Sequence, residues 1–284
     1  MTPKILKYKA DRRSVAFVSI FILIQGILFL FSSRWWTFPL LALGCAIVGA
    51  INHNHMHHRM FVSKSLNELW NFVLSWGMGS SAAQMTVTHI LIHHRFFRDS
   101  RDWTRYELAK GRGVQRVFSY LKNTVSEIRR HRKVFFQQTR NEGWLKQARR
   151  EKMVLWIISL CLLAYSPLGF LFCYFLPWIG GLLIVLVVNL TQHDELDLKS
   201  DQHSRDFVGP LGNWFAFNSF FHTVHHEKPA LHWSLLPLEH RKRALGGRKS
   251  FWSYIFTHYL FQTESSYLPR KQCLASPEDE FQDR

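Results

Sequence analysis

The sequence predicts an all-α membrane protein: four transmembrane helices in two hairpins, with a helical cap on one membrane face. Three observations predict it. Long uncharged apolar runs alternate with basic segments along the 284 residues. Two runs, 14–33 and 35–51, are each long enough for one crossing, and a third, 153–190, is long enough for a hairpin of two. Three clusters of histidine fall at the ends of the runs, on the side to which an even number of crossings returns the chain.

The averages hide this pattern. Mean hydropathy is −0.09 and the hydrophobic content is 47%, values a soluble protein also shows. The formal net charge of +16 fits either a nucleic-acid binder or a membrane protein with most of its polar mass in the cytoplasm, where Lys and Arg accumulate. The apolar runs decide for the membrane and against nucleic acid. The four cysteines, 45, 161, 173 and 273, form no Cys-x-x-Cys pair, and three lie inside apolar runs. Neither a disulfide framework nor a zinc ribbon is indicated.

Residues 1–13 form a short basic lead with Lys4, Lys7, Lys9, Arg12 and Arg13. Residues 14–33 hold twenty residues without a charge, enough to cross ~30 Å of hydrocarbon as a retained first span, and only Gln25 is strongly polar. Trp35 and Trp36 sit where an interfacial aromatic belt places them. The second span, 35–51, returns to the side of the N-terminus. Residues 66–88 mix an apolar face (Trp70, Phe72, Leu74, Trp76) with Gly and Ser, which predicts an interfacial or shallow helix. Residues 95–152 are rich in Arg and Lys and read as solvated helices facing anionic headgroups.

Residues 153–190 carry thirty-eight residues and no charge. At 1.5 Å per residue one helix is far too long. Two are predicted, about 153–168 and 170–192, broken between the Ser166-Pro167-Leu168-Gly169 stretch and Pro177. The cap then comprises 52–152 and 193–270, and 271–284 reads as an acidic, disordered tail. One domain is expected over 1–284, with both termini and the cap cytoplasmic by the positive-inside rule.

Sixteen histidines are the unusual count. His53 and His57 are spaced i, i+4 on a helix continuing from the second span, which puts them on one face. His89 and His93 repeat that spacing, with His94 beside them. His222, His225 and His226 form an H-x-x-H-H pattern whose first two members lie one helical turn apart. His193 stands at the foot of the last span. Two from the first cluster, three each from the second and third, and His193 make nine imidazoles at one membrane face. Zinc takes four ligands and iron about six, so two ions are the economical occupancy. An all-nitrogen shell leaves iron, copper and zinc open. His55 and His58 crowd the first cluster, so His57 or His58 can complete its pair. The remaining histidines, 131, 203, 232, 240 and 258, read as structural.

These residues in this order, His53-x-x-x-His57, His89-x-x-x-His93-His94 and His222-x-x-His225-His226, resemble the histidine boxes of the membrane fatty acid desaturase/hydroxylase superfamily. His193 matches that superfamily's additional ligand after the last span, and Asn189 resembles an Asn that faces iron through water in acyl-CoA desaturases. The resemblance covers about residues 14–240. It implies two non-haem iron ions held by the nine histidines, O2 as co-substrate, and a fatty-acyl or lipid substrate that acquires a C=C bond through C–H abstraction. Hydroxylation, ketone formation and oxidative decarboxylation are implied alternatives on the same scaffold. No cytochrome b5 motif or ferredoxin-like Cys set occurs in the chain, so the resemblance also implies a separate donor of ferredoxin, rubredoxin or cytochrome b5 type. A membrane metal-binding protein is the non-enzymatic alternative. A transporter is disfavoured, because its polar ligands belong near mid-membrane and these lie at span ends.

Overall fold

The computed structural model describes residues 4–32, 34–97, 99–138, 142–194, 204–243 and 250–261. Within them the chain is helical, and its extended pairing is one isolated bridge, Leu6 with Phe61. His203 and the 271–284 tail lie outside the described residues.

The first hairpin is α1 (Asp11–Phe31) and α2 (Phe38–His57). On α1 the buried positions Ser14, Val18, Phe21, Gln25 and Phe29 form one stripe, while Ile20, Leu23, Ile24, Ile27, Leu30 and Phe31 are exposed. A helix that is apolar all round and shows large apolar side chains outward is built for lipid. α2 lies further inside. It runs unbroken through the first histidine cluster, as the spacing of His53 and His57 predicts.

Next come α3 (Lys64–Met78) and α4 (Ala82–Thr86), the latter continuing into a π-wound segment, Val87–His94. α5 (Gly113–Gln138) is the long basic helix, and α6 (Glu142–Tyr165) follows. α7 (Pro167–Phe170) leads through a second π-wound stretch, Leu171–Phe175, into α8 (Leu176–His193). The cap closes with α9 (Pro210–Phe215), α10 (His222–Glu227), α11 (Leu236–Lys242) and α12 (Phe251–Ile255).

Among the described residues, three stretches are long and apolar enough to cross a membrane: Asp11–Phe31, Trp35–His57 and Pro167–His193. The expected span at 153–168 corresponds to the end of α6, whose charged first half continues straight into uncharged Met153–Tyr165. The break between the last two apolar helices falls at Ser166, which caps α7 by accepting from the Gly169 N–H, with Pro167 at the first helical position, where its missing donor costs nothing. Pro177 makes no break. The Cys173 carbonyl, four residues before it, cannot receive a bond from a proline nitrogen. Gln25 Nε2 of α1 donates to that carbonyl instead, at 2.7 Å. The lone strongly polar side chain of the first span thus repairs the backbone of the last.

α2 and α8 pack closely side by side. A Cβ added at Gly181 would stand 2.5 Å from the Cys45 Cβ and 3.0 Å from the Ala46 nitrogen. Without a hydrophobic driving force between helices in lipid, such close backbone approach is what holds them. The main core joins α1, α2 and α3 to Phe217, Val224, Trp233 and Leu236 of the cap, so the third histidine cluster is packed onto the first hairpin.

Gly181→Ala is therefore expected to lower stability in detergent by about 1–3 kcal/mol through overpacking. Gly26→Ala, where an added Cβ meets nothing within 4 Å, is expected to be neutral. Thermal unfolding of the two purified variants checks the contrast.

Candidate metal centre

The first cluster rides on the last turns of α2. His53 and His57 point to one side, as their spacing dictates. His55 is on the other side, fully buried, its Nδ1 receiving the Met60 N–H at 3.4 Å. His58 packs edge-on against the rings of Tyr8 and His232. The crowded cluster thus resolves with His57, not His55 or His58, beside His53.

The second cluster is aimed by the start of its helix. Ser81 caps α4 by accepting from Gln84 N at 3.2 Å, and the buried Glu151 carboxylate receives Ser81 Oγ at 2.6 Å and Ala83 N at 3.0 Å. A carboxylate belongs there, at the positive end of a helix. From Val87 onward the winding widens to π. In an α-helix a residue five positions on lies about 140° away around the axis. Hydrogen bonding at i, i+5 brings it back to the same side. His94 consequently joins His89, and His93 turns to a different set of partners. This differs from the i, i+4 expectation, and the cause is the winding, not the spacing.

The third cluster follows a tight turn in which two non-glycine residues adopt positive φ, Phe217 (50°) and Asn218 (61°). Asn tolerates this region, whereas Phe is strained there. Phe217 is held by burial, by the Arg13 guanidinium 4.0 Å over its ring and by Trp233 at 5.4 Å. Asp206 Oδ1 accepts the Thr223 N–H at 2.6 Å at the start of α10, and His240 binds its other oxygen at 2.8 Å. On α10, His222 and His226 share a face through their i, i+4 spacing, and His225 points elsewhere. The expected His222–His225 face is therefore not the one formed.

His193 ends α8, and the residue after it fixes the position. Asp194 is buried and paired with buried Arg116, while Tyr259 donates to its Oδ2 at 2.7 Å. Arg205 adds a bond to the Thr191 carbonyl at 2.7 Å.

All nine sequence-selected histidines are brought together, in two groups. His53, His57, His89, His94 and His225 form one, and His93, His193, His222 and His226 the other, with ligand atoms within 4.8 Å of one another in each. In the first, Nε2 atoms approach at 3.0 Å (His53–His225), 3.1 Å (His57–His89), 3.0 Å (His89–His94) and 3.1 Å (His94–His225). In the second, the separations are 3.1 Å (His193–His222), 3.1 Å (His222–His226) and 3.3 Å (His93–His226). With metal–nitrogen bonds of about 2.1 Å, ligand nitrogens set at right angles lie about 3.0 Å apart. Converging lone pairs of neutral imidazoles repel one another, and a cation at the point of convergence relieves that repulsion. The donor sets fit a divalent ion in each group.

For five of these rings the surroundings favour the neutral form that ligation requires. Burial first, and neighbouring imidazoles second, hold His89, His222, His225 and His226 well below the usual histidine value. The same causes push His94 down to about 2.

Other residues fall outside the two groups. Asn189 spends its amide donors on the Tyr120 hydroxyl (2.8 Å) and the Thr104 carbonyl (3.2 Å). His232 is buried between Asp11 and Ser234, and His131 lies beside Glu127. Phe97, which the sequence reading did not select, covers the second group, with ring centroids 4.8 Å from His226 and 5.1 Å from His193. Asp102, also not selected, sits 2.8 Å from His93 Nδ1. Asp99, Asp102 and Glu107 all follow the second cluster closely, and nothing in the sequence singled out Asp102 among them.

A family model described as fatty acid desaturase matches residues 32–258, a stretch that includes all nine histidines. No curated protein gives a significant match.

Because histidines held neutral in the fold regain their ordinary value near 6.5 on unfolding, the unfolded chain binds more protons at acid pH. Their contribution to stability is present above about pH 6.5 and is lost as pH falls below it. Metal-free protein is expected to show an unfolding midpoint that declines steadily with pH below about 6.5, measured by thermal denaturation across a pH series. A flat profile over that range would show that the rings are not held neutral.

Proposed function

The chain belongs to the fatty acid desaturase family, and from that membership we propose that it is an O2-dependent, di-iron acyl-lipid or fatty-acid desaturase. The observation that carries the proposal is the gathering of nine imidazoles into two groups of metal-ligand spacing. One ion takes His53, His57, His89, His94 and His225, and the other takes His93, His193, His222 and His226. When bound, the iron pair supplies the O2 activation needed to abstract hydrogen from an unactivated C–H bond. The chain's own residues bury the ligand rings wholly or in part, which favours their neutral form, and Asp102 holds His93 through its Nδ1.

The proposal includes the topology. α2 and α8 both end at the histidine groups, so they run in the same direction through the membrane. The chain must therefore return to the far face between His57 and Pro167. The 24 residues of α6 span about 36 Å, and Met153, Trp156, Ile157, Leu160 and Leu163 are exposed along its second half. α6 is accordingly the fourth crossing. Both termini and the histidine groups then lie on the basic, cytoplasmic side. Electrons come from a separate protein donor and the substrate is an acyl chain delivered from the membrane.

Metal analysis of purified protein, paired with lipid profiling of expressing cells, tests this. Two irons per chain and a new double bond are expected. Two irons with a hydroxylated or shortened product would move the reaction to the hydroxylase, ketolase or decarboxylase branch. Two irons without any product would leave a membrane metal-binding protein.

Within that assignment, His57→Ala is expected to retain one of the two irons and lose product formation. His55→Ala is expected to keep both irons while losing about 1–3 kcal/mol of stability, because it strands the Met60 N–H. Iron content and thermal unfolding of the two variants separate ligand from neighbour.

A further inference from the structure

Asp102 and His93 are each 1% exposed. A buried carboxylate needs compensation, and both oxygens of this one are engaged. Its Oδ2 lies 2.8 Å from His93 Nδ1, which also has the Thr104 hydroxyl at 3.2 Å. Its Oδ1 accepts from the Thr104 backbone N–H and from the Thr104 hydroxyl, both at 2.9 Å. Thr104 is itself fixed, its carbonyl receiving the Tyr120 hydroxyl at 2.8 Å and Asn189 Nδ2 at 3.2 Å. The carboxylate that faces His93 therefore cannot rotate without abandoning two donors.

We propose that Asp102 is a positioning residue that fixes the tautomer of His93, and so secures the four-histidine metal site without supporting the five-histidine one. This rests on the two-centre reading above. With Oδ2 as acceptor, the His93 proton stays on Nδ1 and its Nε2 lone pair faces His226, His222 and His193. A carboxylate behind a ligating imidazole orients the ring and raises its basicity.

The arrangement makes a prediction that packing alone does not. In Asp102→Asn one acceptor becomes an NH2 donor. Facing Thr104, that NH2 would meet the backbone N–H, which can only donate, and would turn the hydroxyl from donor to acceptor. The orientation that satisfies the Thr104 N–H places the NH2 at His93 Nδ1, where the Thr104 hydroxyl also lies 3.2 Å away, and so favours the proton on Nε2, which takes the lone pair out of the metal site. Asp102→Ala removes the tether but imposes no tautomer. The isosteric Asn is thus expected to damage metal binding more than the cavity-forming Ala, the reverse of the order that a space-filling role gives.

The test uses full-length protein in detergent, stripped with a chelator and titrated with Co(II), with bound metal counted after desalting. Wild type is expected to bind two ions per chain. Asp102→Asn is expected to retain one at wild-type affinity and to bind the other about 10–100-fold more weakly, with Asp102→Ala between the two. Equal affinity of both sites in Asp102→Asn, loss of both sites together, or greater damage in Ala than in Asn overturns the inference while leaving two centres in place. If Asp102→Ala does not fold, the one-site loss in Asp102→Asn still decides. Wild type that binds no Co(II) would remove the two-centre reading itself, and this inference with it.

Discussion

Nine imidazoles aimed at two points are an arrangement that side chains do not adopt for packing. Their Nε2 atoms face one another at 3.0–3.3 Å, and every ring is at least partly buried. Everything else in the fold serves to hold this convergence without the help of a single continuous element. The ligands come from α2, the π-wound extension of α4, the end of α8 and α10, so four separate helix ends must be fixed relative to one another.

Three of the four ligand-bearing helices are fixed by buried polar devices. Glu151 receives the start of the second-cluster helix, Asp194 with Arg116 and Tyr259 fixes the end of α8, and Asp206 receives the start of α10. Taking such groups out of water is costly, and removing one partner leaves a buried charge or donor uncompensated. That cost supports precise placement better than it supports overall stability. Where no polar device is available, in the lipid-embedded part, small residues let α2 and α8 approach, and Gln25 supplies a donor that Pro177 lacks. The strained Phe217 belongs to the same pattern, since surrounding contacts hold an unfavourable backbone angle immediately before the third cluster.

Much of this was legible in the sequence. The lengths of the apolar runs and the place of the histidines at run ends were enough for an all-helical chain with membrane-length apolar helices and a histidine site at their ends. The nine residues selected as ligands are the nine that converge. Their division between the two groups was not legible. His89 and His93 have α-helical spacing, and nothing in V-T-H-I-L-I-H-H announces π winding. His222 and His225 likewise look like one face until the path of α10 is known. Devices that act across distance were also hidden. Glu151 meets Ala83 from 68 residues away and Gln25 meets Cys173 from 148, so a polar residue in an apolar run was visible but its partner was not. At 153–168 hydropathy located the apolar half of α6 but missed that its charged half belongs to the same helix.

The central claim is that two metal ions sit in the two histidine groups. Anomalous diffraction at the iron edge, from crystals of iron-loaded protein, tests it most directly. The account predicts two peaks, one among His53, His57, His89, His94 and His225 and one among His93, His193, His222 and His226. A single peak shared by both groups, or peaks outside them, would contradict it.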